Sequence, residues 1–350
     1  MKINVARFIN METADFRVEV LTPMFLGGAS GDAELRSPPF KNALRYWWRI
    51  IQGNIPDSDL RQKEKKLFGG INNKANRSLV NILVIGDVKI GEAAGQKADI
   101  GDKINPEARN RNVPLSAYLG MGVVDFNGTY LKKYILPGQA FKLTVSFPQK
   151  YRLEILDTLS LIKAFGTFGA RSRNGWGSID LTTIDQNIEL LSRKQLFEWY
   201  GEDLTQIFNV NKKYPFRLGK TSHGPLLWQI KSGNNWKGVM QAAGERYMDL
   251  RQQQELAFPR QVPSGLEKRH ILGYPVTNHK FPEWGGNNGR MPSQLRIFVR
   301  KHDNQYTSYF FHLPHRLPKP WDEQRLGCEL ALWKVIHKYI DQDNQCQRVH

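Results

Sequence analysis

The chain has 350 residues, of which 50 are lysine or arginine and 33 are aspartate or glutamate, and its formal net charge is +17 at neutral pH. Hydrophobic residues make up 40% and charged residues 24%, as in ordinary globular proteins, and the mean hydropathy of -0.51 excludes a chain made mainly of membrane spans. A protein this basic commonly binds an acidic partner, most often nucleic acid. The length predicts two domains.

The first predicted elements are a strand and a helix joined by a glycine-containing loop. Residues 16–21, FRVEVL, alternate apolar and charged side chains, which predicts a half-buried strand. The loop that follows contains three glycines, Gly27, Gly28 and Gly31. The segment PPFKNALRYWWRIIQG (38–53) begins with two prolines and ends in glycine, the pattern of a helix.

Further strands and one more helix are predicted for the rest of the first half. The predicted strands are 78–90, 113–119, 121–125 and 139–147. Residues 149–165 have helical periodicity, and 178–184 are a strand that follows a glycine-rich loop. The polar segments 55–77 and 91–112 predict loops. This order is compatible with a ferredoxin-like β-α-β-β-α-β unit that carries insertions.

The second half also mixes helices and strands. Its predicted elements are a helix near 192–209, a strand at 225–232, a helix at 236–255, a hairpin of 293–301 with 305–313, and an amphipathic helix at 321–340. The loop-rich segment 259–290 separates the second helix from the hairpin. The predicted fold class is therefore α+β, and the second half is compatible with a repeat of the plan of the first.

The glycine-rich loop FGTFGARSRNGWGSI (165–179) is the strongest motif of the sequence. Its glycines allow the backbone to approach a ligand closely, and its arginines can bond phosphate oxygens through their forked guanidinium groups. Trp176 is available for stacking on a base. The alternative interpretation is a helix-to-strand turn with exposed arginines and a core tryptophan. The composition of the loop does not separate the two.

The segment ELRSPPFKNALRYWWRI (34–50) is the second motif. Its basic residues Lys41, Arg45 and Arg49 are spaced four apart and therefore share one face of the predicted helix, with Arg36 beside the helix N-terminus. Such a position attracts phosphate. The alternative is a solvated basic stripe opposite buried tryptophans.

Both motifs resemble the RAMP superfamily, the repeat-associated RNA-binding subunits of CRISPR effectors. The combination LTPMFLGGA…ELRSPPFKNALRYWWR resembles one group of that family more narrowly, subunit one of the Cmr (type III-B CRISPR) complex. The segments ILGYPV (271–276) and GRMPSQLRIFV (289–299) are similar to the second domain of that group.

The resemblance implies two tandem ferredoxin-like (RRM-related) domains with insertions, at 1–190 and 191–350. It implies a non-catalytic RNA-binding subunit, placed towards the 3′ end of the guide RNA, that helps to capture target RNA in antiviral defence. The implied partners are CRISPR guide RNA, single-stranded target RNA and other RAMP subunits of the Cmr complex. The residues implied to contact RNA are Arg36, Lys41, Arg45, Arg49, Gly166, Gly169, Arg171, Arg173, Asn174 and Gly175.

Two alternatives come from other classes of protein. Some RAMP relatives are metal-independent endoribonucleases that process CRISPR RNA, and His223 would then be the candidate acid or base. The other alternative is a scaffold whose basic faces and C-terminal helix contact neighbouring subunits.

No catalytic residue, metal ligand or cofactor is predicted. All eight histidines lie at or beyond His223, and each is expected to be structural or on the surface. Asp32 and Glu34 have two interpretations, as metal ligands or as salt-bridge partners of Arg36, and the salt bridge is favoured. Two cysteines, Cys328 and Cys346, do not make a zinc site or a disulfide framework, which favours a reducing compartment. Without a recognisable signal peptide or membrane span, a cytoplasmic location and no membrane contact are expected.

Overall fold

A computed structural model provides the structure of the chain. It describes residues 10–28, 32–71, 75–93, 95–105, 111–256, 265–274, 276, 279, 281–285, 288–319, 321 and 328–349. Three residues of the sequence analysis lie outside this set: Gly31 and Pro275, which belong to quoted segments, and His350, which is one of the eight histidines.

The described residues contain both helices and strands. The helices are α1 (Ser37–Gln52), α2 (Asp57–Phe68), α3 (Leu115–Gly120), α4 (Arg152–Phe165), α5 (Arg193–Tyr200), α6 (Leu204–Asn209), α7 (Trp236–Arg251) and α8 (Glu329–Gln342). The strands are β1 (Met11–Val20), β2 (Gly70–Ile71), β3 (Ala75–Asn76), β4 (Asn81–Ile85), β5 (Ile90–Gly91), β6 (Asp102–Asn105), β7 (Arg111–Pro114), β8 (Tyr134–Ile135), β9 (Ala140–Pro148), β10 (Ile179–Thr183), β11 (Gly201–Asp203), β12 (Leu218–Thr221), β13 (Gly224–Pro225), β14 (Leu227–Gly233), β15 (Leu295–His302), β16 (Gln305–His312) and β17 (Gln347–Arg348).

The first large sheet is antiparallel, with the strand order β10-β1-β9-β4. Helix α1 lies between β1 and β4 in the chain, and α4 lies between β9 and β10. This is the connectivity predicted for the first half. Alternate residues of β1, from Ala14 to Val20, are buried because successive side chains of a strand point to opposite faces and one face packs into the core.

The second large sheet repeats this plan with the order β15-β16-β14-β17. Helix α7 follows β14, and α8 lies between β16 and β17. The strand order and the positions of the helices correspond to those of the first sheet. The predicted α+β fold, two tandem ferredoxin-like units with insertions, is therefore confirmed.

The two units share an interface. Phe165 of α4 stacks on Phe311 of β16 with 4.4 Å between ring centroids. Arg300 of β15 donates to the main-chain oxygens of Lys163 and Gly166, at 2.8 and 2.9 Å, where α4 ends. Core residues of the first half thus pack against the second sheet, and the division into domains 1–190 and 191–350 stays a proposal.

Two predicted strands are wrong. Residues 113–119 mostly form α3, since its apolar side chains pack on α7, where Leu119 lies against Gly244. Residues 121–125 contain isolated bridges within a turn and no strand.

One loop prediction and two helix predictions also differ from the structure. The predicted loop 55–77 contains α2, whose few apolar residues are buried on one side. The predicted helix 192–209 divides into α5 and α6, because Gly201 ends the first and the carboxylate of Asp203 caps the second by accepting from the Thr205 amide. Helix α8 begins at Glu329, and 322–327 lie outside the described residues. Within the described chain, no helix is long and apolar enough to cross a membrane.

Candidate functional site

A cleft of about 650 Å³ lies between α1 and the glycine-rich loop, so the two sequence motifs meet in space. A strand of the second sheet, β15, completes its lining. The described residues that line it include no aspartate or glutamate. Five of them are arginines, and we call the cavity the arginine cleft after Arg36, Arg45, Arg49, Arg173 and Arg296.

Helix α1 supplies one wall of the arginine cleft because it is strongly amphipathic. Phe40, Leu44, Trp47 and Trp48 are buried against the sheet, which confirms that the tryptophans belong to the core. Its prolines are tolerated at the start of the helix, where backbone N–H groups have no intrahelical partner.

Two arginines on the polar face of α1 are held by one acidic side chain. Glu64 of α2 accepts from Arg45 Nε at 2.9 Å and from Arg49 Nε and Nη2 at 3.0 and 2.9 Å. Burial alone would raise the pKa of Glu64, but the hydrogen bonds and charges of these two arginines outweigh it and lower the pKa. The carboxylate is therefore ionised at neutral pH and neutralises part of their charge.

Lys41 lies outside the arginine cleft. It lines a neighbouring cavity of about 450 Å³ beside β4, together with Phe68 and Ile82. Burial, and then the charge of Arg45, lowers the pKa of Lys41. Arg45 lines both cavities, so Lys41 adjoins the arginine cleft through Arg45 but does not line it.

Arg36 is the N-terminal flanking residue of α1 and has an extended backbone. Its Nε is buried and has no hydrogen-bond partner among the described residues. The expected pairing with Asp32 is wrong, since Asp32 lies 3.5 Å from Lys133 Nζ instead.

The glycines of the loop are required by close packing. At Gly169, with φ of +89°, a Cβ atom would lie 2.5 Å from the carbonyl oxygen of Phe25. At Gly175, with φ of +90°, it would lie 2.3 Å from Met240 Sδ on α7. Gly169 lines the arginine cleft, whereas Gly166 and Gly175 are buried elsewhere.

The polar residues of the loop differ in their surroundings. Arg173 lines the arginine cleft and donates through Nη1 to the carbonyl oxygen of Ser293 at 2.8 Å. Asn174 donates through Nδ2 to the carbonyl oxygen of Leu119 at 2.8 Å, which ties the loop to α3. Arg171 is exposed outside the cleft. Trp176 is fully buried and belongs to the core, so it is not a stacking platform.

Arg296 and Tyr46 are cleft residues that sequence reasoning missed. The guanidinium of Arg296 lies 5.1 Å from the ring centroid of Tyr46 and 5.3 Å from that of Trp47, and Arg173 approaches Tyr46 from 5.9 Å. Burial lowers the pKa of Arg296 to about 10, so it stays charged at neutral pH. The available signal was a pair of arginines, Arg296 and Arg300, on either side of the apolar run 297–299.

The histidines of the chain divide between surface and core. His223 is exposed, and its ring contacts Ser222 at 3.4 Å. His312 and His337 are buried and their rings share a hydrogen bond of 2.9 Å. In the described part of the chain, no group of three His, Cys, Asp or Glu side chains is arranged to hold a metal ion.

Residues 17–180 match the model of the RAMP superfamily, and this segment includes α1, the glycine-rich loop and most of the first sheet. Through this unit the chain resembles the RAMP superfamily. It is also similar to subunit one of the Cmr system.

The relatives are from Pyrococcus furiosus. The chain is 26% identical over 208 residues to "CRISPR system Cmr subunit Cmr1-1", a match that covers 57% of this chain and 54% of that protein. It is 26% identical over 194 residues to the subunit Cmr1-2, covering 50% of this chain and 97% of that protein. The crystal structure of Cmr1 in its apo form covers 94% of this chain with a TM-score of 0.51 and 19% identity, which shows a shared fold.

Proposed function

We propose that the chain is a non-catalytic RNA-binding subunit of a Cmr-type CRISPR ribonucleoprotein, which helps to capture single-stranded target RNA towards the 3′ end of the guide RNA. One observation carries the proposal: five arginines line one cleft without a carboxylate among the described lining residues. Such a surface attracts the phosphate backbone of nucleic acid. The similarity to Cmr1 subunits supports guide RNA and other RAMP subunits as partners.

The cleft contains two kinds of arginine. Arg45 and Arg49 share the charge of Glu64. Arg36, Arg173 and Arg296 make no ion pair with any described residue, so their charges are available to a ligand. Binding would be electrostatic. The logarithm of the binding constant should therefore fall linearly with the logarithm of the salt concentration, with a slope of about −0.7 for each phosphate of a single strand that the protein neutralises.

Gel assays with end-labelled single-stranded RNA test the proposal. The purified chain is incubated with the RNA in Mg²⁺ and in chelator, and the same samples are run on native and denaturing gels over a salt series. We expect salt-sensitive retention of intact RNA. If the chain alone retains little, the assay is repeated with the co-purified RAMP subunits.

Cleavage of the RNA would contradict the non-catalytic role. Cutting that persists in chelator and is lost in His223→Ala would identify a metal-independent nuclease instead. Absence of binding both alone and with co-purified subunits would contradict the RNA-binding role.

A further inference from the structure

Arg296 is the most buried of the five cleft arginines. It is 8% exposed, whereas Arg45 and Arg49 keep 39% and 36% of their side chains exposed. Its Nε is buried and has no hydrogen-bond partner among the described residues. Buried polar groups are nearly always bonded, and a guanidinium cannot escape by losing its proton. A buried donor without a partner, in the wall of a cavity, indicates a missing ligand.

Arg300, on the same strand, is a buried arginine whose donors do have hydrogen-bond acceptors. It is 7% exposed, and its Nε and Nη2 donate to Lys163 and Gly166 carbonyl oxygens. Both side chains are therefore buried cations of β15. Only Arg296 lines the arginine cleft, and Arg300 does not.

The rings of Tyr46 and Trp47 compensate part of the cost of burying Arg296. Their centroids lie 5.1 and 5.3 Å from its guanidinium carbon, and a cation at such a distance is attracted by the ring. A ring face does not accept the directed N–H bonds that a guanidinium offers, so the donors still require an acceptor.

Arg173 increases this requirement because it places a second positive charge 5.9 Å from the ring centroid of Tyr46. Its proximity, after burial, contributes to lowering the pKa of Arg296. Like charges in a partly buried site repel each other unless an anion lies between them. Arg36 adds a third guanidinium with an unbonded, buried Nε at the same cleft.

The geometry points to a phosphate-binding site formed by Arg296, Arg36 and Arg173. In this site, Arg296 of the second unit is the most buried of the arginines that contact RNA bound by the first unit. This inference rests on the proposed function. A phosphate group fits because its oxygens accept forked guanidinium bonds and its charge opposes the three cations. The group comes either from an internal phosphodiester or from a terminal phosphate of an RNA.

The first test uses inorganic phosphate alone. Thermal unfolding of the full chain is followed in phosphate and in chloride of equal ionic strength. A ligand that binds the folded state raises the melting temperature. Relative to the same protein in chloride, we expect phosphate to stabilise the wild-type chain and the control variant Arg300→Gln. We expect no such stabilisation of Arg296→Gln. If Arg296→Gln fails to fold, Arg36→Gln serves as the test variant, with the same expected loss.

The second test compares three RNAs of one sequence, ending in a 3′-phosphate, a 5′-phosphate or hydroxyl groups only. We expect Arg296→Gln to weaken RNA binding about tenfold, the usual effect of losing a charge-assisted hydrogen bond. Equal weakening for all three RNAs identifies an internal phosphodiester. Weakening confined to one phosphorylated end identifies a terminal phosphate.

The inference is overturned if the folded test variant keeps both the stabilisation by phosphate and the RNA affinity of the wild type. That result leaves the proposed function intact when the wild-type chain binds RNA. A different result is that phosphate stabilises the chain through Arg296, while RNA binds neither to the chain alone nor to the complex. That result supports the phosphate site and contradicts the proposed function.

Discussion

Glu64 controls how much positive charge the arginine cleft offers to a ligand. Its carboxylate is 5% exposed and bonds both Arg45 and Arg49. The four-residue spacing on α1 predicts a basic stripe, but it does not predict that a carboxylate of the next helix, α2, bonds two of these arginines. The most informative residues for charge reversal are therefore Arg36 and Arg173, which have no acidic partner among the described residues.

Glu64→Gln should strengthen RNA binding and weaken the fold. It releases two guanidinium charges into the cleft, while the loss of a buried partner costs about 1–3 kcal/mol of the free energy of unfolding. The lowered pKa of Glu64 means that its ion pairs stabilise the wild type above the usual value of 4.5, and that this stabilisation is lost as the pH falls through the folded value.

Fluorescence anisotropy with labelled RNA and denaturant unfolding at several pH values measure both effects. Asp59→Asn is the matched control, since it removes an exposed carboxylate from the same helix. Equal or weaker RNA binding by Glu64→Gln would contradict the role given to Glu64.

At the scale of elements, the glycine-rich loop connects the two units. The amide of Ile297 on β15 donates to the Arg173 carbonyl oxygen at 2.7 Å, and the Val299 amide donates to Ser178 Oγ at 2.9 Å. Gly175 lets the loop approach α7. The loop is thus held rigidly at the edge of the cleft, and several of its residues serve packing.

Gly175→Ala should destabilise the chain without changing RNA affinity below its melting temperature. The new Cβ would be strained by its positive φ and would overlap Met240 Sδ, at a cost of about 2–4 kcal/mol. Gly138→Ala is the control, because Gly138 has φ of +82° but open space around it, and about 1 kcal/mol is expected there.

Thermal unfolding ranks the two glycine variants, and anisotropy compares their RNA affinities. A specific loss of affinity in folded Gly175→Ala would show that this glycine contacts RNA, as the family resemblance implies.

The packing of α8 on the second sheet predicts sensitivity to acid. His312 of β16 stacks on Trp333 and bonds His337. Burial, and then the charge of Arg348, lowers the pKa of His337 to about 3, against the opposing effect of Asp341. Unfolded histidine binds protons below about pH 6.5, so the unfolded chain gains protons first and stability falls as the pH drops below that value.

His337→Gln should flatten this dependence. Each buried neutral histidine costs about 2 kcal/mol of stability at pH 5, and the variant removes one of them. Denaturant unfolding between pH 7 and 5 measures the slope. The control is His302→Gln, whose side chain is 92% exposed in the wild type. Equal slopes for the two variants would contradict the account.

At the scale of the whole molecule, local patterns predicted the elements and long-range packing completed the cleft. The prolines and apolar spacing of 38–53 are sufficient to predict α1, and the order of the predicted elements indicates the first ferredoxin-like unit. The second ferredoxin-like unit was predicted only from the family resemblance. The sparse apolar residues of α2 are not, because polar side chains dominate its composition. Arg296 and Tyr46 are 250 residues apart, and only the docking of the second sheet brings them together.

Charge reversal in the cleft shows whether the arginine cleft binds RNA. We would measure the affinity for single-stranded RNA, at one salt concentration, of Arg36→Glu with Arg173→Glu, after thermal unfolding shows that the variant is folded. Lys194→Glu with Lys334→Glu makes the same change of net charge at exposed residues outside the cleft. We expect a loss of affinity of at least about tenfold for the cleft variant and a small change for the control. Equal losses in both would show that the net charge of the chain, and not the arginine cleft, binds RNA.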